Sequence, residues 1–308
     1  MAEISASMVK ELREKTGAGM MDCKKALTES GGDFVKAEEW LRKKGISKAA
    51  SKGARVAAEG LVGIELLNDG KLGVAVEVNS ETDFVARNDE FIKLTAGMVQ
   101  HIARHAPKDV ENLLQQAWTD GKSVKDAITE KVATIGEHLT VRRFVRIAVE
   151  GEGALGMYLH SNNKVASLVE VKGSGGAEAK ELARELAMQI AAVRPGYVTR
   201  AEVPAELIEK EKEIYREEIR RQPKQPPEAM WEKILLGKLE KFYENNCLVD
   251  QLWIKEDKKK IKDVIAEFGK KAGKPLSVGQ VARIEVGEGI VKAKDDLAAE
   301  VAKTLGQA

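Results

Sequence analysis

The chain has 308 residues, enough for about two domains, and 43% of them are hydrophobic against 32% charged. Fifty basic and 49 acidic side chains leave a net charge of +1, short of the excess carried by proteins that live by neutralising phosphate; with aromatics at 5%, direct nucleic-acid binding is not expected. Two cysteines, Cys23 and Cys247, exclude a disulfide framework and point to a reducing, cytoplasmic setting, and no apolar run reaches the roughly 20 residues that cross a bilayer.

The first 45 residues read as a three-helix module. Ser5 or Ser7 caps a first helix that carries Met8, Val9 and Leu12 and stops at Thr16-Gly17. Gly19 opens a second through Met20, Met21, Cys23 and Leu27, and Ser30-Gly31-Gly32 breaks it. Asp33 caps a third, where Phe34, Ala37, Trp40 and Leu41 recur at helical spacing, and Gly45 suits the position just past its end. Residues 46–60 then read as a basic linker: Arg42 to Arg55 holds six basic residues and no acid, a solvated hinge or a nucleic-acid patch.

From Leu61 the period becomes strand-like. Leu61 to Leu67 and Leu72 to Asn79 are apolar runs joined by Asn68-Asp69-Gly70, a hairpin signal because Asp-Gly tolerates positive φ. Beyond Phe84 a helix is predicted with Phe91, Leu94, Met98 and Ile102 on one face, then helices around Val110–Trp118 and Val124–Leu139, then a strand from Val141 to Val149. The plan then repeats. A shift of 93 positions puts Gly63 on Gly156, Leu66 on Leu159, Lys71 on Lys164, Val76 on Val169, Glu77 on Glu170 and Val78 on Val171. Each half closes on a strand followed by Gly-Glu-Gly, at 151–153 and 287–289. The fold class is therefore α+β, with duplicated core halves at 61–153 and 154–289. The second half is longer by about 44 residues, in a helical pattern at about 200–248 broken by Pro223-Lys224-Gln225-Pro226-Pro227. Leu207 and Ile214, seven apart, and Leu235, Leu239, Phe242 and Asn246 suit an antiparallel helical hairpin, or coiled coil, which also offers a surface for homo-oligomers.

Three patterns that resemble catalytic or ligand motifs fail on context. Gly151-Glu152-Gly153-Ala154-Leu155-Gly156 matches a dinucleotide fingerprint, but the repeat places a strand after it, where the motif requires a helix. Gly121-Lys122-Ser123 has Gln116 where a phosphate loop needs glycine. His101 and His105 are four apart, with Arg104 between them, and read as a partly buried helix end. No cofactor, metal site or enzyme is expected. Lys255 to Lys274 is a second basic stretch, the basis of a rival reading as an RNA-binding protein.

One block remains, Asn79 to Asp89, where the hairpin gives way to helix. Thr82 and Asp83 are cap-type residues, which would make Phe84 a packed residue at a helix entry. The alternative is an aromatic displayed beside an acid on a rigid connection, which would need a partner. The blocks Thr16-Gly17-Ala18-Gly19-Met20-Met21-Asp22-Cys23-Lys24-Lys25-Ala26-Leu27, Thr82-Asp83-Phe84-Val85-Ala86 and Val286-Gly287-Glu288-Gly289 resemble those of the bacterial elongation factor Ts family, in the family's order across nearly the whole chain.

The resemblance implies a guanine-nucleotide exchange factor for the GTPase elongation factor Tu. It also implies an N-terminal module of ubiquitin-associated type, a two-part core, a coiled coil and a C-terminal module, here 290–308 with Leu297, Val301 and Leu305 as its stripe. By the same resemblance Thr82, Asp83, Phe84 and Val85 dislodge Mg²⁺ from the GTPase, and Met20, Met21, Lys24 and His160 make secondary partner contacts.

Overall fold

A computed structural model describes residues 4–119, 121–222 and 225–291. The expected C-terminal stripe Leu297, Val301 and Leu305 and the turn residues Pro223 and Lys224 lie outside the described residues. The chain is a mixture of helices and small sheets. The described residues divide into two compact units, one holding 4–63, 76–144 and 285–291, the other 64–75 and 145–284.

In the first unit, α1 (Ala6–Thr16), α2 (Met20–Glu29) and α3 (Phe34–Lys52) enclose Val9, Leu12, Cys23, Ala26, Leu27 and Ala37. Ser5 caps α1 by accepting from the Met8 amide, Gly17 closes it in the left-handed region, and Asp33 caps α3. The third helix does not end at Gly45; it continues to Lys52, through the first seven residues of the 46–60 stretch read as a linker. The local rule that makes glycine a helix terminator is overridden by packing. A Cβ at Gly45 would sit 2.9 Å from the Cβ of Ala133, so glycine serves close helix approach there, at about 1 kcal/mol of helix propensity.

Strands β1 (Glu59–Leu67) and β2 (Leu72–Ser80) follow, joined by Asn68, Asp69 and Gly70, all at positive φ. Next come α4 (Asp89–His105), α5 (Val110–Gln115), α6 (Val124–Ile135) and β3 (Thr140–Ala148), and the sheet order is β1-β2-β3. The cap of α4 is Asn88, not Thr82 or Asp83: its side chain accepts from the Glu90 amide at 2.9 Å. Glu77 on β2 is fully buried. Its carboxylate accepts from Arg142, Arg143, Asn79 and the Gly287 amide at 2.6 to 3.1 Å, which supplies the partners a buried charge requires and ties the second Gly-Glu-Gly turn to the strand.

In the second unit β4 (Gly153–Leu159) and β5 (Val165–Lys172) pair antiparallel, with Gly156 opposite Val169. Then follow α7 (Ala177–Val193), α8 (Ala205–Arg220) and α9 (Glu228–Asn246). A short hairpin, β6 (Leu252–Trp253) with β7 (Glu256–Lys260), leads to α10 (Ile261–Ala272) and β8 (Ser277–Glu285), which completes the order β4-β5-β8. Leu182, Leu186 and Ile190 of α7 pack with Val169 and Val171 of β5 and Val264 and Phe268 of α10. Helices α8 and α9 lie side by side, Lys238 reaching Glu218 at 2.6 Å and lying over the Tyr215 ring. Ile214, which its spacing from Leu207 places on the contact stripe, is half-exposed. Arg200 fastens this pair to the unit, bonded through both guanidinium edges to Asp250 and Glu240 at 2.7 to 2.8 Å.

The repeat in the strands extends to the helices. Both α4 and α7 have 17 residues. Phe91, Leu94, Thr95, Met98, Val99, His101, Ile102 and Ala103 are the buried positions of α4, and Ala179, Leu182, Ala183, Leu186, Ala187, Gln189, Ile190 and Ala191 occupy the same places on α7. Both helices close on a non-glycine residue in the left-handed region, Ala106 and Arg194. Gly63 and Gly156 each admit the helix to the strand: a Cβ at 63 would meet Thr95 and Val99 methyls at 2.8 and 2.9 Å, and one at 156 the Ala183 and Arg184 backbone at 2.2 and 2.3 Å.

Candidate functional site

Phe84 lies on the connection between β2 and α4. Every residue of β2 is buried, so the chain reaches Ser80 from a fixed direction. The Ser80 hydroxyl donates to the Thr82 carbonyl at 2.8 Å. The amides of Glu81 and Thr82 both donate to Glu137 Oε2, at 3.1 and 3.0 Å, and the Thr82 hydroxyl donates to Glu137 Oε1 at 2.6 Å. Beyond Phe84, Val85 is buried and opens a 3-10 turn to Arg87, and the Asn88 amide donates to the Val85 carbonyl at 2.9 Å. Arg87 bonds Asp83 across this turn at 3.2 Å, an exposed pair that adds little stability.

Between these two anchors the Phe84 ring is 78% exposed. The reading of Phe84 as a packed helix-entry residue is thereby set aside, since its buried neighbour Val85 takes that role. Burying such a ring is worth about 1.5–3 kcal/mol, a gain the isolated chain leaves unused.

The other expected contact residues are also accessible. On α2, Cys23, Ala26 and Leu27 take the core face, while Met20 and Met21 are 55% and 76% exposed and Lys24 is exposed too. His160 belongs to the second unit, in the turn after β4, where its side chain is exposed and its Nδ1 lies 3.2 Å from Asn162. Thus Thr82, Asp83, Phe84 and Val85 form one contiguous corner, Met20, Met21 and Lys24 share a short stretch of one helix, and His160 stands in a different unit.

The rejected motifs have ordinary structural employment. Gly151 to Gly156 runs into strand β4. Ser123 caps α6 in a reciprocal box with Asp126, and Lys122 pairs with Glu130 at 2.7 Å. His101 is buried with Nε2 2.9 Å from Gln116, its ring beside those of His105 and Trp118, and burial lowers its pKa. Burial pushes both thiols up, Cys247 to about 11, which suppresses the reactive thiolate. Within the basic stretch 42–55, Lys44 pairs with Asp22 at 2.6 Å, Lys52 bonds the Gly136 carbonyl and Arg55 meets Glu81 at 3.3 Å, so these three cations are engaged internally. No helix among the described residues is long and apolar enough to cross a membrane.

Sequence reasoning gives no role to Ser80 and Glu81, which lie within the block it singles out, and misses Glu137 and His138 altogether. Glu137 follows Gly136, a helix C-cap in the left-handed region, and nothing local announces that its side chain reaches a segment 55 positions earlier.

The family model described as Elongation factor TS matches residues 81–288, a span that holds the Phe84 corner, Glu137 and His160. Among curated proteins, "Elongation factor Ts" of Clostridium botulinum (strain Eklund 17B / Type B) is 46% identical over 99% of this chain and 100% of its own length. The protein of that name from a Nitratiruptor species is 47% identical over 98% of this chain and 99% of its own. That of Myxococcus xanthus (strain DK1622) is 46% identical over the full length of both.

Proposed function

This chain belongs to the elongation factor Ts family, and from that premise we propose that it promotes release of GDP from the GTPase elongation factor Tu, without covalent chemistry of its own. Membership makes it a factor of translation elongation; the exchange mechanism is the finer reading. The observation that carries it is the exposed Phe84 ring on a corner pinned at both ends.

In a GTPase of this kind Mg²⁺ bridges and neutralises phosphate charge. The Phe84 ring enters an apolar gap of the partner beside that site and displaces the elements that hold the metal. Thr82 and Asp83 fix the approach of the loop, and buried Val85 braces it. With its countercharge gone, GDP binds more weakly and leaves. Linkage makes the effect reciprocal: GTP entering the vacated site expels the exchange factor by the same coupling. Met20, Met21 and Lys24, in a module of ubiquitin-associated type, and His160 supply secondary contacts that set affinity. The α8–α9 pair acts as a coiled-coil arm, which also offers a route to self-association.

The test is the release of a fluorescent GDP from elongation factor Tu with wild-type protein and with Phe84→Ala. Loss of about 2 kcal/mol of burial should slow the stimulated release roughly 30-fold while the free variant melts like wild type. Equal stimulation by both proteins would sink the reading.

A further inference from the structure

We propose that Glu137 is the positioning residue of the Phe84 loop: its carboxylate sets where the loop starts, and thus where the ring is held. This rests on the reading of Phe84 as the element that enters the partner.

Glu81 and Thr82 lie between the end of β2 and the 3-10 turn, and their amides are taken by a side chain, not by a ladder or a helix. Two consecutive amides would otherwise turn to water. Both converge on Glu137 Oε2 at 3.1 and 3.0 Å, and the Thr82 hydroxyl takes Oε1 at 2.6 Å. The site therefore presents three donors and no acceptor. An ionised carboxylate accepts at both oxygens and donates at neither, and its charge shortens and strengthens such bonds. A glutamine of the same shape would turn one oxygen into a donor facing donors.

The clamp is reciprocal. Glu81 Oε1 accepts from the His138 amide at 2.6 Å, so each segment grips the other's backbone with a carboxylate. The resulting cross-tie cannot slide without breaking both halves. The end of α3 joins it: Lys52 bonds the Gly136 carbonyl, Arg55 reaches Glu81 Oε2 at 3.3 Å, and the Arg55 carbonyl lies 2.8 Å from His138 Nδ1, which donates to it. A ring held in place before it enters the partner's gap carries less ordering cost at that insertion step, the one that drives release. The clamp acts on how well the ring is placed, and not on the contacts that Met20, Met21 and Lys24 make elsewhere.

The test uses full-length Glu137→Gln, Phe84→Ala and the double variant, with two readouts. Amide hydrogen exchange of the free protein should speed up roughly tenfold at Glu81 and Thr82 in Glu137→Gln and stay unchanged at Val76 and Val78 in β2. In GDP-release titrations against elongation factor Tu, Glu137→Gln should lower the maximal rate roughly tenfold, leave the half-saturating concentration within about twofold, and add nothing when Phe84 is already alanine. General destabilisation would move neither readout selectively. Unchanged exchange at Glu81 and Thr82 overturns the clamp. Faster exchange with an undiminished maximal rate overturns its positioning role while Phe84→Ala still fails. If Phe84→Ala itself works like wild type, the wedge reading falls and takes the positioning role with it, and the amide readout distinguishes that case from failure of the clamp. Should Glu137→Gln not fold, Glu81→Gln opens the other half of the tie and must give the same split, with faster exchange at the His138 amide.

Discussion

The connections β2→α4 and β5→α7 occupy the same place in two copies of one plan and are built differently. After β5 the chain takes Gly173-Ser174-Gly175-Gly176 and enters the helix at once. Its ties are short: the Gly173 amide to the Glu152 carbonyl and the Gly176 amide to the Ser174 hydroxyl. After β2 the connection is twice as long, residues 81–88, with a carboxylate cross-tie on one side, a buried valine on the other and an exposed aromatic between them. The second connection demonstrates that the frame closes without any such ring. Phe84 is an addition to the frame and not a by-product of it. The buried glutamates behind the connections differ in the same sense. Glu77 is held by two arginines, whereas Glu170 accepts from the Gln280 amide at 3.0 Å with Lys172 at 3.9 Å.

If the halves share one strand–helix contact, its two glycines should respond alike in kind and unlike in size. Gly156→Ala pushes a methyl into backbone, which cannot yield, and is expected to cost about 4 kcal/mol or more. Gly63→Ala meets only the methyls of Thr95 and Val99 and should cost about 1–3 kcal/mol. Urea denaturation checks both; equal midpoints for the two variants would contradict the distinction drawn between a backbone neighbour and methyl neighbours.

A smaller effect separates the two helices at their shared polar position. Gln189 on α7 bonds Leu252 and Ile254 and has no charge to gain. His101 on α4 occupies the same place, and burial, with His105 and Arg104 nearby, holds its pKa below the ordinary value of 6.5. The unfolded chain therefore takes up the proton first as pH falls. The stability that neutral His101 contributes is complete above about pH 6.5 and drains away as pH drops through that value toward the folded pKa. His101→Gln should remove this part of the acid sensitivity, read as a smaller Tm difference between pH 7.5 and pH 5.5 (roughly one unit either side of the histidine range). An identical difference in both proteins would show that the loss arises elsewhere.

Much of this frame can be read from the chain, because periodicity and turn chemistry are local. Phe91, Leu94, Met98 and Ile102 announce the buried face of α4, Asn68-Asp69-Gly70 announces its turn, and the repeat shows in strands whose residues alternate between fixed environments. Other features were hidden for specific reasons. Gly45 looks like a helix end until Ala133 is known to lie against it. The β6–β7 hairpin falls in a lysine-rich run without an apolar period, whereas α10, in the same basic stretch, carries Ile261, Val264 and Phe268 at helical spacing, a signal that a reading of the stretch by charge alone passes over. At the corner, the residue types of Thr82-Asp83-Phe84-Val85 were informative, but the exposure of Phe84 was not, since an aromatic beside cap-type residues is more often packed. Glu137 was invisible because its role consists wholly of bonds to residues 81 and 82.

The central claim is that the Phe84 ring passes from water into a second protein. Incorporate 4-fluorophenylalanine at position 84 and record its ¹⁹F resonance in H₂O and D₂O, before and after adding elongation factor Tu with GDP bound. The account predicts a solvent isotope shift in the free protein that collapses when the complex forms. A ring that keeps its full isotope shift in a complex shown to be assembled would contradict it.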